Sequence, residues 1–81
     1  MVKIYSTPTC YYCNVAKRYF REKGIKFTNY NVAADSRKAQ EMAHKSRQQG
    51  VPVIEINGKI IVGFDKNRID KEIKKIKQLN R

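Results

Sequence analysis

Thr9-Cys10-Tyr11-Tyr12-Cys13 holds both cysteines of this 81-residue chain, follows a short β-like run and opens an amphipathic helical pattern. Two thiols three residues apart can close on one another across the first turn of a helix, so one sulfur can attack an incoming disulfide and the other release it. As a structural cross-link the pair is poor, because closing so short a loop gains little entropy. The spacing therefore reads as a working redox pair. Zinc sites share it, but they need two further Cys or His ligands, and the one histidine, His44, reads as a surface residue on the edge of a helical stripe.

Upstream, Val2 to Tyr5 is β-branched and aromatic, and Ser6-Thr7-Pro8-Thr9 ends that strand in a loop. Downstream, Tyr12, Val15, Ala16, Tyr19 and Phe20 recur at helical spacing until Gly24 stops the pattern. Ile25 to Val32 reads as a second strand, and Asp35 as the N-cap of a helix striped by Ala39, Met42, Ala43 and Ser46 that ends near Gln49-Gly50. Val51 to Ile56 and Lys59 to Val62 flank Asn57-Gly58, the strongest two-residue hairpin signal. Gly63-Phe64-Asp65 leads into a last helix, capped at or near Asp65, with Ile69, Ile73, Ile76 and Leu79 on its inner face. A β-α-β unit with a right-handed crossover, a hairpin attached to the same sheet and three covering helices make a small α/β sandwich. Its length predicts one compact domain over residues 1–81.

The net charge of +11 is spread over the polar faces of all three helical segments. It reads as solvated helix faces short of acidic residues, with steering of acidic partners as the functional alternative. A nucleic-acid binder is disfavoured, because aromatic and basic residues do not alternate on one strand face. No charged-then-apolar signal precedes Val2 and no apolar run reaches the length of a membrane span, so a cytoplasmic monomer is expected, away from membranes. A reducing compartment also suits cysteines placed for chemistry.

The strand, the C-x-x-C at a helix start, Val51-Pro52 before a hairpin, and Gly-Phe-Asp before the terminal helix together resemble the glutaredoxin branch of the thioredoxin fold, over nearly the whole chain. The resemblance implies a thioredoxin-like β-α-β-α-β-β-α fold with a four-stranded mixed sheet and three helices. It implies that Cys10 is the exposed nucleophile and Cys13 the more buried resolving thiol. Helix physics agrees independently, since Cys10 at a helix N-terminus meets unpaired N–H groups and the positive end of the macrodipole, with Lys17 or Arg18 adding to the field. If the thiol pKa falls from about 8.5 to about 7, thiolate rises about sixteenfold at neutral pH while nucleophilicity falls about fivefold. The greater benefit is to Cys10 as a leaving group when Cys13 attacks the mixed disulfide.

Tyr12 matches the tyrosine usual in the family motif, and Tyr11 stands where proline is usual. Both form an aromatic wall or a substrate contact beside the thiols. Val51-Pro52 is similar to the family's cis-proline segment, which accepts an extended thiol substrate through its backbone. Phe64 and Asp65 could offer helix-start N–H groups to a glutathione carboxylate, and Gln48 or Arg47 could reach another. Thr7, Val62-Gly63 and Asp65-Lys66 depart from the lysine, paired glycines and paired acids that glutaredoxins commonly place there. Poor glutathione binding is therefore expected. Gly63-Phe64 also resembles the turn of glutaredoxin-like redoxins that are reduced by thioredoxin reductase and donate to ribonucleotide reductase. The reading is a dithiol electron carrier for protein or small disulfides with no tightly bound cofactor. Glutathione, as co-substrate, or thioredoxin reductase supplies the electrons. A module holding an iron-sulfur cluster at a dimer interface is the alternative.

Overall fold

The computed structural model describes residues 1–79, with side chains described as far as residue 76. The elements run β1 (Val2–Ser6), α1 (Tyr11–Glu22), β2 (Thr28–Asn31), α2 (Ser36–Ser46), β3 (Val53–Ile56), β4 (Lys59–Val62) and α3 (Lys66–Leu79). One four-stranded sheet has the order β2-β1-β3-β4. β1 pairs in parallel with β2, as the crossover through α1 requires, and antiparallel with β3, whose hairpin adds β4. This is the expected thioredoxin-like arrangement. None of the helices among the described residues is long and apolar enough to cross a membrane.

Strand alternation sends side chains to two different cores. Val2 and Ile4 of β1, Ile54 and Ile56 of β3 and Ile61 of β4 point to the face covered by α1 and α3, where Ala16, Phe20, Ile69 and Ile73 meet them. Each large apolar side chain fully buried there contributes about 1.5–3 kcal/mol. On the opposite face Tyr5 and Val53 pack with Met42 of α2, flanked by Tyr30, Val32, Val51 and Ile60.

That second face also holds a polar network. Lys45 reaches from α2 to a Glu55 carboxylate oxygen at 2.8 Å and to the Tyr5 hydroxyl at 3.2 Å. The Tyr5 hydroxyl donates to Glu41, and Lys3 approaches Glu55 at 3.9 Å. Burial, reinforced by the bond to Glu41, pushes the Tyr5 hydroxyl up to about 12. The Tyr5 bond holds the Glu41 carboxyl below its ordinary value, and the Glu55 bond raises Lys45. Lys45 is therefore half-buried glue between α2 and the sheet, contrary to the reading of every helical lysine as solvated. That reading does hold for Arg18, Arg21, Arg37 and Arg68, which are exposed.

Several boundaries move for local reasons. Ile25 and Phe27 belong to the return from α1, packed on the first core after Gly24 turns the chain at φ +70°, so β2 begins only at Thr28. It ends where the Asn31 side chain accepts the Ala33 N–H at 3.0 Å. α2 stops at Ser46, short of Gln49-Gly50, because Arg47 takes a left-handed conformation (φ 58°). Asp35 caps it as expected, accepting the Arg37 and Lys38 N–H groups. β3 starts at Val53, since Pro52 has no N–H to offer a ladder. Asn57 and Gly58 both have positive φ, the geometry of a primed two-residue turn.

Candidate active site

The strand-to-helix junction places the cysteines. Cys10 is the N-cap of α1, in extended conformation (φ −83°, ψ 117°), and its sulfur accepts the Cys13 backbone N–H at 3.1 Å. A sulfur thus occupies the place of the oxygen that usually satisfies a free N–H at a helix start. None of the three helices carries an acidic residue in its first turn, so no carboxylate on α1 opposes the positive end of its dipole beside Cys10. The two cysteines are joined as a disulfide with Cα atoms 5.2 Å apart. Cys13, Ala16 and Phe20 form the buried face of α1, and Cys13 is wholly inaccessible, whereas Cys10 is partly exposed. Solvent therefore reaches the bond from the Cys10 side.

Tyr12 does not join the buried stripe on which the periodicity placed it. Tyr19, two turns on, is covered edge-on by Phe64 at 5.5 Å, whereas Tyr12 lies at the free end of the helix. Tyr11 and Tyr12 are 72% and 60% exposed and pack edge to face with ring centres 5.1 Å apart, which makes them an aromatic wall beside the disulfide.

Two loops complete the site. The Val51–Pro52 bond is cis, as the resemblance implied, and the Val51 carbonyl oxygen lies 3.8 Å from the Cys10 sulfur. Pro52 is buried, and its carbonyl accepts the Gly63 N–H at 2.8 Å, tying the turn before α3 to the segment beside the thiols. Gly63 has φ +80°, a conformation that L side chains rarely adopt. Asp65 caps α3 by accepting the Arg68 N–H at 3.3 Å. The Gly63 bond thus brings the turn that leads to Phe64 and Asp65 against the Val51-Pro52 loop.

Gln48 is placed differently from the expectation. Its amide folds back on its own loop, accepting the Gly50 N–H at 2.6 Å and donating to Ser46 Oγ and the Gly50 carbonyl at 3.0 Å. A Cβ on Gly50 would sit 2.8 Å from that amide oxygen, so the clasp needs glycine there. Gln48 braces its loop, and its amide N–H groups are used there rather than left to donate to a ligand carboxylate. Lys66 is similarly engaged, pairing with Asp70 at 3.0 Å. Asp70 also accepts the Tyr19 hydroxyl, which is the larger cause of its lowered carboxyl pKa, while Asp70 raises that of Lys66. This α1–α3 tie escaped sequence reading because its partners lie 51 residues apart and neither belongs to a motif.

A disulfide at a strand-to-helix turn, one sulfur buried and the other facing a cis-proline loop, defines a thioredoxin-like redox protein. The family model for glutaredoxin matches residues 2–61. A glutaredoxin-like 8.6 kDa protein encoded in the rubredoxin operon of Clostridium pasteurianum is 55% identical over 75 residues, covering 93% of this chain and 100% of its own. Glutaredoxin 3 of Escherichia coli K12 is 36% identical over 64 residues, covering 79% of this chain and 77% of its own. NrdH-redoxin of Escherichia coli, a glutaredoxin-like protein with a thioredoxin-like activity profile, superposes with a TM-score of 0.75 at 24% identity, over 86% of this chain and 91% of its own. The chain belongs to the glutaredoxin family.

Proposed function

We propose that the protein is a dithiol–disulfide electron carrier in which Cys10 attacks and Cys13 resolves. The observation that supports this most is the asymmetry of the pair: Cys10 is partly exposed at a helix N-cap, and Cys13 is buried one turn on. In the reduced protein the Cys10 thiolate, stabilised by the Cys13 N–H and the helix start, attacks one sulfur of a substrate disulfide. A Cys10–substrate disulfide forms, the substrate S–S bond breaks, and the departing sulfur takes up a proton. Cys13 then loses its proton and attacks Cys10 Sγ, breaking the mixed disulfide and releasing the second substrate thiol. Two electrons pass from the protein dithiol to the substrate, and the protein is left as its internal disulfide. Tyr11, Tyr12, Val51, Pro52, Gly63, Phe64 and Asp65 form the substrate surface, with Gln48 holding the loop that carries Val51. No tightly bound cofactor is required.

The electron source in this reading is a protein reductase of the thioredoxin-reductase type rather than glutathione. The Gln48 amide donors are used within its own loop, and exposed Lys66 pairs with Asp70, so a tripeptide carboxylate competes with internal partners at both. Val62 is 47% exposed where the family commonly has glycine.

The test uses Cys10→Ser and Cys13→Ser proteins with a disulfide substrate, read by intact mass. Cys10→Ser should be inactive, and Cys13→Ser should accumulate a mixed disulfide on Cys10. Faster alkylation of Cys13 than of Cys10 in the reduced parent would reverse the assignment. Turnover compared between glutathione with its reductase and thioredoxin reductase decides the electron source.

A further inference from the structure

The acidic residues of this chain are almost all engaged internally. Glu41 and Glu55 are bound by Lys45, Asp70 and Glu72 pair with lysines along α3, and Asp35 and Asp65 accept helix-start N–H groups. That leaves Glu22, in the last turn of α1 and at the far end of that helix from Cys10. Every ion pair among the described residues uses a lysine, and none uses an arginine. Arginine is the better carboxylate ligand, with a planar fork of donors that a carboxylate can bridge.

Two of the exposed arginines sit at helix ends next to the loops that meet beside the disulfide, Arg47 at the end of α2 and Arg68 at the start of α3. Arg47 is exposed at the left-handed end of α2. It starts the clasped loop that runs through Gln48 to Val51, whose carbonyl faces Cys10 Sγ at 3.8 Å. Arg68 is exposed in the first turn of α3, its own N–H fixed on Asp65, just beyond the Gly63 that bonds to Pro52. The third side of the site is the exposed Tyr11–Tyr12 pair. An uncharged aromatic contact, with two exposed arginines that enter no ion pair among the described residues placed on the segments flanking it, fits an acidic polypeptide with apolar side chains next to its disulfide.

We propose that the partner of this site is an acidic protein segment. Tyr11 and Tyr12 take its apolar side chains beside the reacting sulfur, and Arg47 and Arg68 take its carboxylates. The proposal rests on the dithiol reading above and specifies its substrate class. The remaining positive charge steers encounter at long range, and the two arginines give the local preference, which survives screening better.

The experiment uses three synthetic peptides of one length and one internal disulfide, flanked by Tyr and by Glu, Gln or Lys. The second-order rate of the reduced protein with each is read at about 20 mM and about 500 mM salt. At low salt the Glu peptide should react at least about tenfold faster than the Lys peptide, and the ratio should fall with salt. Two variants of equal charge change separate local from overall attraction. Arg47→Gln/Arg68→Gln removes the proposed grip. Lys26→Gln/Lys59→Gln removes two exposed cations near the opposite end of the sheet, where Val2 pairs with Ile56.

The Glu-to-Gln rate ratio should drop about threefold or more in the arginine variant and by clearly less in the lysine variant. Equal rates for all three peptides, or equal loss of the Glu-to-Gln ratio in both variants, overturns the proposal. Inhibition by single-stranded DNA but not by polyglutamate reassigns the arginines to nucleic acid and also overturns it. An uncharged disulfide, bis(2-hydroxyethyl) disulfide, separates the two levels. Failure of the parent to reduce it refutes the dithiol reading itself, whereas its reduction without any charge preference among the peptides refutes only the acidic partner.

Discussion

Replacing Tyr5 by phenylalanine removes one oxygen from the network that fastens α2, and the loop after it, to the sheet. The Tyr5 side chain is wholly inaccessible, and its hydroxyl both donates to Glu41 and accepts from Lys45. A hydrogen bond to a charged group is worth about 1.5–3 kcal/mol. Glu41 and Lys45 remain about one-third exposed and 3.7 Å apart, so they can recruit water and each other. That places the cost of Tyr5→Phe at the low end, about 1.5 kcal/mol at about pH 8.

The pH dependence tests the cause. The Tyr5 pKa is raised from 10.0 to about 12 in the folded protein, so its contribution is fully present below 10 and is lost as pH climbs toward 12. At about pH 11 the unfolded chain has largely ionised while the folded one has not, a loss of about 1.4 kcal/mol that the phenylalanine variant does not suffer. Lys45, also raised, weakens at alkaline pH in both proteins and largely cancels from the comparison. Urea unfolding of the disulfide form, followed by circular dichroism, should show the gap closing to near zero at about pH 11. A gap unchanged between the two pH values, or none at about pH 8, would refute the account of Tyr5 as a buried donor in a charged network.

Phe20→Ala should cost about 3–5 kcal/mol, because Phe20 is fully buried among Ile4, Ile54 and Ile69, and a denaturation curve should show a steeply lowered midpoint. Gly63→Ala forces a side chain to φ +80° in open space, so it should lose about 1 kcal/mol from backbone strain alone and slow peptide disulfide reduction by loosening the turn on Pro52. Rates and melting measured on one preparation check both effects. Thr7→Lys with Val62→Gly restores two residues common in glutaredoxins and should raise glutathione-dependent turnover, and a parent already as active would show that these departures are neutral.

Much of this protein is legible in its sequence because the signals are local. Asp35 caps α2 through its own next turn, Asn57-Gly58 makes a hairpin through its own φ values, and the Cys10–Cys13 spacing brings two sulfurs together over one helical turn. Periodicity misjudged Tyr12, because burial on a helix depends on what lies opposite, and Phe64 covers Tyr19 but leaves the first turn open. Composition likewise could not tell Lys45, bound to Glu55, from the exposed arginines, nor foresee that Gln48 would close on its own loop. The sequence by itself determined the elements, their order and the reactive pair. Tertiary structure alone decided which charges pair with one another and which stay exposed, since Coulomb energy and hydrogen bonding depend on distances between residues far apart in the chain.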